Sequence, residues 1–284
     1  MKLIQQSMLI RDSTTNIYAA LTSKEDLQQW WGLVNDHADG ETVWYGMDRE
    51  YEVPIVAAEP GKFLSFAFDA HHPYDESRTE PTTITITIAE QEGSSIVTVV
   101  QSMFSDDDWN TMIHDGWVSS LLSLQLWVER GIAFSTWMDK KKFHTVNKVI
   151  ALNQDATWAW HMLSHGTGMG AWLNAEVSSD PVVAGEIRIQ WDADTILGGE
   201  WRLLSEPRNL VCHMGNAKSL EENDDPGMIA LQQWTILPAV NGSVVRLVEY
   251  GYDLTRVTKS HLRRLEAGWD TYLARLQQLA ETTT

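Results

Sequence analysis

The chain has 284 residues, 43% of them hydrophobic, and carries 21 Lys and Arg against 39 Asp and Glu, a formal charge of −18. That length predicts two domains with ordinary cores, and so acidic a field repels phosphate backbones and anionic lipid, which excludes nucleic acid as an expected partner. The single cysteine, Cys212, forbids an intrachain disulfide; without a basic start leading into an apolar run, or any apolar run near the roughly 20 residues that span a bilayer, the expectation is cytoplasmic, with no membrane insertion.

In chain order, an opening strand leads to a helical segment, "ALTSKEDLQQWWG", that ends at Trp30-Trp31. "AAEPGKFLSFAF" follows as a strand pair around a Pro60-Gly61 turn. In "TTITITIAE", Ile84, Ile86 and Ile88 alternate with threonines, as a sheet with one wet face requires. A turn at Glu92-Gly93 separates this strand from "SIVTVVQ". "HDGWVSSLLSLQLWVERG", residues 114–131, reads as one helix with Trp117, Leu121, Leu124 and Val128 on one stripe. The segment 138–148 starts polar and becomes the next opening strand.

The second half repeats this pattern. "MLSHGTGMGAWLN" matches the first helical segment at an offset of 142, pairing Leu21 with Leu163 and Trp30 with Trp172. "GEIRIQWDAD" alternates Ile187, Ile189 and Trp191 with Arg188 and Gln190. "LSEPRNLVCHM" matches the Glu59-Pro60 strand pair at 147, and "VVRLVE", after an Asn241-Gly242 turn, matches "IVTVVQ" at 148. In "EAGWDTYLARLQQLAE", Gly268, Trp269, Leu273 and Leu276 match Gly116, Trp117, Leu121 and Leu124 at 152. A period near 145 residues means two tandem domains rather than a solenoid. The expected boundaries are 1–136 and 143–284, each an α+β module with one long C-terminal helix on a sheet. Because glycine inside a helix costs about 1 kcal/mol against alanine, Gly116 is expected to let its helix approach the sheet closely. Gly166, Gly168 and Gly170 are expected to interrupt the helical segment of the second copy.

These motifs, taken together and found twice over nearly the whole chain, resemble the START-like (SRPBCC) superfamily in its branch related to the activator of heat-shock-protein ATPase. The resemblance implies a helix-grip fold, a curved antiparallel sheet wrapped around the C-terminal helix. Between them many relatives keep a cavity for a hydrophobic small molecule. The second copy departs from the first in having Trp172-Leu173 where the first has Trp30-Trp31.

Fourteen tryptophans are several times ordinary usage and suit a pocket for an aromatic or lipophilic ligand, although packing accounts for most of them singly. Glu249 shares a strand face with Val245 and Leu247, and Gln101 takes the matching place beside Val97 and Val99. A polar group on an apolar face points to the cavity unless it sits solvated at a strand end. The candidate ligand-binding set is Trp44, Phe66, Ile86, Gln101, Met112, Trp117 and Ser120 in the first copy, with Trp191, Trp201, Met214, Trp234, Glu249 and Trp269 in the second. Glu249 is also the candidate acid or base.

Other clusters carry weaker signals. Asp69, His71, His72, Asp75 and Glu76 crowd one expected loop, and His161 and His165 stand four apart without the glutamate of a zinc-protease helix. "GTGMG" lacks the G-x-G-x-x-G spacing of a nucleotide loop and suits a flexible cavity entrance. Cys212 and His213 are adjacent in a strand and point to opposite faces. No metal and no cofactor are expected. The leading expectation is non-catalytic binding of a small hydrophobic molecule. A START-like enzyme of cyclase or hydrolase type and a stress-response interaction protein are the alternatives, and a protein partner stays open.

Overall fold

The computed structural model describes residues 3–31, 42–44, 52–72, 75–102, 104–105, 107–137, 139, 142–216 and 230–283. The chain divides into two compact units, Met1–Met138 and Asp139–Thr284.

In the first unit β1 (Leu3–Ile10) leads into α1 (Thr14–Thr22) and α2 (Lys24–Trp30). Then come β2 (Thr42–Trp44), β3 (Glu52–Glu59), β4 (Phe63–His72), β5 (Asp75–Gln91), β6 (Ser94–Ser102), the long α3 (Asp107–Arg130) and the single turn α4 (Phe134–Trp137). Its strands run antiparallel in the order β2-β3-β4-β5-β6-β1. Glycine permits the left-handed turns the meander needs, with Gly61 at φ 74° and Gly93 at φ 79°.

The second unit opens with β7 (Phe143–Leu152), α5 (Ala156–Ser164) and α6 (Gly166–Leu173). It continues through β8 (Glu176–Ser179), β9 (Glu186–Gln190), β10 (Ile196–Ser205), β11 (Asn209–Asn216), β12 (Ala230–Ala239) and β13 (Gly242–Asp253) to α7 (Lys259–Thr282). The antiparallel order is β9-β10-β11-β12-β13-β7, with β8 pairing β9. Both units are helix-grip modules of α+β class.

The repeat extends to individual hydrogen bonds. Ser13 caps α1 by accepting from the Asn16 N–H, and Asp155, 142 residues on, caps α5 by accepting from the Trp158 N–H. The indole of Trp30 donates to the Ala20 carbonyl at 2.8 Å, and that of Trp172 to the Met162 carbonyl at 2.8 Å. Buried Ser95 and Ser243 each donate at 2.8 Å to a carbonyl just past the opening strand, those of Asp12 and Gln154. Satisfying buried polar groups in the same way twice is strong evidence of one module used twice.

Alternation along the strands sets the core. In β6, Ser95, Val97, Val99 and Gln101 are buried; in β5, Ile84, Ile86 and Ile88 are buried. Along α7 the buried stripe is Leu262, Trp269, Leu273, Leu276 and Ala280, each large side chain contributing about 1.5–3 kcal/mol by leaving water.

Two expectations about glycine are corrected. A Cβ on Gly116 or Gly268 would meet nothing within 4 Å, so neither serves a close approach of helix to sheet. Gly166, Gly168 and Gly170 do not interrupt the segment either, since residues 166–173 form α6. Those glycines make the close contacts instead: a Cβ on Gly168 would lie 2.5 Å from the His161 carbonyl oxygen, and one on Gly166 2.6 Å from that of Val177. They let α6 pack backbone against backbone on α5 and β8.

Candidate functional site

Strand register builds the site. Trp201 (β10), Cys212 (β11), Gln232 (β12), Glu249 (β13) and Val146 (β7) are successive cross-strand partners. Cross-strand partners project to one face, so this row crosses the sheet with Glu249 in it. Beyond Glu249 the β13–β7 register shifts, with Glu249 opposite Val146 but Tyr252 opposite His144. Residues three apart in a regular strand point to opposite faces; the extra residue of this bulge turns Tyr252 onto the face of Glu249.

The last helix closes the site. From α7, Trp269 donates its indole N–H to Glu249 Oε2 at 2.7 Å. Gln232 donates to Oε1 at 2.9 Å, and the Tyr252 hydroxyl is a further donor to the same carboxyl. The Cys212 thiol lies 3.6 Å from Gln232 Oε1, a contact that leaves the amide NH2 of Gln232 directed at Glu249. Trp269 also meets Trp234 edge-on, centroids 5.5 Å apart, and Tyr272 at 6.3 Å, while Tyr272 reaches Trp172 and Trp191.

Between these rings lies a cavity of about 630 Å³, within the range of small-molecule sites. Trp172, Trp191, Trp201, Trp234 and Trp269 line it, with Met214, Tyr252, His261 and Tyr272. Gly268 lines it as well, so the room beside this glycine is cavity.

Burial pushes the Glu249 carboxyl above the usual carboxylate range, against the hydrogen bonds from Trp269, Gln232 and Tyr252 that favour the ionised form. Burial likewise raises the Cys212 thiol and the Tyr252 hydroxyl, the nearby Glu249 adding to both. Among the described residues the site is a pocket with one buried carboxyl, hydrogen-bond donors around it and aromatic walls.

All six candidates of the second copy line the cavity, Trp191 from the turn after β9 rather than from the strand itself. In the first copy Phe66, Ile86, Gln101 and Trp117 are buried. Trp117 donates to Gln101 Oε1 at 2.6 Å, and Gln101 donates to Thr82 Oγ1 at 3.0 Å. Met112 is 38% exposed on α3, and the Ser120 hydroxyl turns back to the Gly116 carbonyl at 2.9 Å. The side chain of Trp44 lies outside the described residues. Solvated strand ends are ruled out for Gln101 and Glu249, each 2% exposed.

Sequence reasoning did not name Gln232, Tyr252 or His261. The signal for Tyr252 was Gly251 inside an otherwise continuous strand, a mark of a bulge. Gln232 needed the register.

The weaker clusters separate. Asp69, His71 and His72 close β4 and Asp75 and Glu76 open β5, so they lie on paired strands rather than an extended loop. His161 and His165 stack at 4.6 Å, with His165 Nδ1 2.8 Å from the Ser164 hydroxyl. Cys212 faces the cavity, whereas His213 sits 3.4 Å from an Arg202 guanidinium nitrogen. Among the described residues no three His, Cys, Asp or Glu are grouped to hold a metal ion, and no helix is long and apolar enough to cross a membrane.

Fold and site together define a protein of two tandem helix-grip units, the second holding a cavity between its sheet and last helix. Residues 13–129 match the family described as Activator of Hsp90 ATPase homolog 1-like protein. No curated protein matches it significantly. Among solved structures it is similar to protein MLL2253 from Mesorhizobium loti at 19% identity, covering 50% of this chain and 99% of that one with a TM-score of 0.44. It is similar to the Aha1 dimer from Colwellia psychrerythraea at 24% identity, covering 46% and 98%, TM-score 0.40. A further similarity is to the di-domain ARO/CYC StfQ from the steffimycin biosynthetic pathway, at 12% identity over 98% of each chain, TM-score 0.40.

Proposed function

We propose that the second unit binds a small, largely apolar molecule with aromatic character in the cavity beneath α7. The observation that carries this reading is the cavity itself, about 630 Å³, walled among the described residues by five tryptophans around a single buried carboxyl. Apolar walls supply affinity through burial, and the few polar groups fix orientation. Titrating the protein with aromatic lipophiles tests it. Bound ligand stabilises the folded state, by about 2.7 kcal/mol at a hundredfold excess over Kd, and perturbs the indole fluorescence of the lining. A broad panel that moves neither the thermal midpoint nor the fluorescence rejects the reading.

A second reading is favoured by one observation, the burial that raises the Glu249 carboxyl. A carboxyl that keeps its proton above the usual carboxylate range can act as general acid on a bound substrate, with Tyr252 beside it. Turnover of a bound ligand that disappears in Glu249→Gln while binding persists distinguishes catalysis from carriage.

A further inference from the structure

The cavity lining is lopsided in its chemistry. Among the described residues it contains five tryptophans, two tyrosines and the Glu249 carboxyl, and neither lysine nor arginine. Three donors converge on that carboxyl, the Trp269 indole, the Gln232 amide and the Tyr252 hydroxyl. Such a shell suits an ionised carboxylate, an acceptor-only group with about four lone-pair sites, the form that burial by itself disfavours here. A protonated carboxyl would instead need an acceptor for its own O–H, and these neighbours present donors.

What the shell lacks is the opposite charge that would offset burial and let the carboxyl ionise. Buried charges are ordinarily paired, yet among the described residues no Lys, Arg or His lies within ion-pair distance of Glu249. The space beside it is the cavity, and the cavity walls are ring faces. Indole and phenol faces attract cations placed over them, most strongly when both partners are desolvated. The overall charge of −18 also draws cations toward the protein.

Resting on the binding reading above, we propose that the ligand of the second unit is a hydrophobic organic cation, an amine on an aromatic body, whose ammonium group seats against Glu249 among the indole faces. Binding supplies the missing counter-charge and ionises the carboxyl, releasing its proton to solvent. Among the described residues, the other titratable groups facing this point are Cys212 from β11, Tyr252 from β13, and His261 and Tyr272 from α7.

Three probes on one skeleton test this: naphthylethylamine, naphthylethanol and naphthylacetate, titrated into the full chain by tryptophan fluorescence and calorimetry. The amine is expected to bind at least tenfold more tightly than the alcohol, and the acetate most weakly. Glu249→Gln should weaken the amine about 10- to 100-fold, the range of a hydrogen bond to a charged group, and change the alcohol by less than threefold. Wild-type affinity for the amine should climb as pH rises above the usual carboxylate range, since binding must ionise Glu249, and the alcohol profile should stay flat. A His261→Gln control separates any imidazole contribution, and the wild-type pH scan decides the question if Glu249→Gln fails to fold. Equal affinity for amine and alcohol, tighter acetate binding, or an amine profile as flat as the alcohol's overturns the cation. If none of the three binds, the binding reading falls and the cation with it.

Discussion

Trp269 donates its indole N–H to Glu249 at 2.7 Å, and Trp117, at the same place in the first unit, donates to Gln101 at 2.6 Å. The bond from helix to sheet persists while the acceptor changes from a group that can ionise to one that cannot. A buried acceptor that loses its donor costs about 1–3 kcal/mol. Trp269→Phe, which keeps most of the ring area and removes the N–H, should lower the urea unfolding free energy by that amount; an unchanged midpoint would show the bond to be incidental.

The raised Glu249 carboxyl gives stability a definite pH dependence. The folded state holds this proton more tightly than the unfolded chain, whose carboxyl titrates near 4.5. The favourable contribution is therefore complete below that value and is lost as pH rises through the folded pKa. Glu249→Gln should remove this fall, so the stability difference between variant and wild type should grow in the variant's favour from about pH 4.5 upward. Denaturant titrations at stepped pH measure it, and parallel curves would contradict it.

Glycines of one composition in two settings should respond oppositely to alanine. At Gly268 a Cβ meets open cavity, so Gly268→Ala should stabilise α7 by about 0.5–1 kcal/mol. At Gly168 the Cβ would sit 2.5 Å from the His161 carbonyl oxygen, so Gly168→Ala should destabilise by more than that. Thermal midpoints read the sign. Gly268→Leu should in addition block ligand uptake by filling the cavity without touching Glu249.

The Cys212 thiol is buried, and burial next to Glu249 keeps it protonated. Since the thiolate is the nucleophile, native protein at pH 8 should react with an anionic aromatic disulfide at least tenfold more slowly than urea-unfolded protein. Equal rates would place the thiol in contact with water.

Much of the architecture was written in local pattern. Alternation in "TTITITIAE" and "SIVTVVQ", turn glycines at 61 and 93, and the helical stripe before each C-terminal end follow from how neighbouring residues face water or core, and the duplication made each reading twice over. The packing role of the glycines is not legible in the sequence, which shows where a Cβ is missing and not what would meet it. Val177 and His161 come against α6 only when chain segments fold back.

The sequence by itself determined two sheet-and-helix modules and the placing of Glu249 and Gln101 on apolar strand faces, since both follow from spacing along one strand or helix. The tertiary structure alone decided that Gln232, Tyr252 and Trp269 converge on Glu249. That convergence requires pairing across three strands, a one-residue bulge and the docking of a helix, none of which is encoded by spacing within any single element.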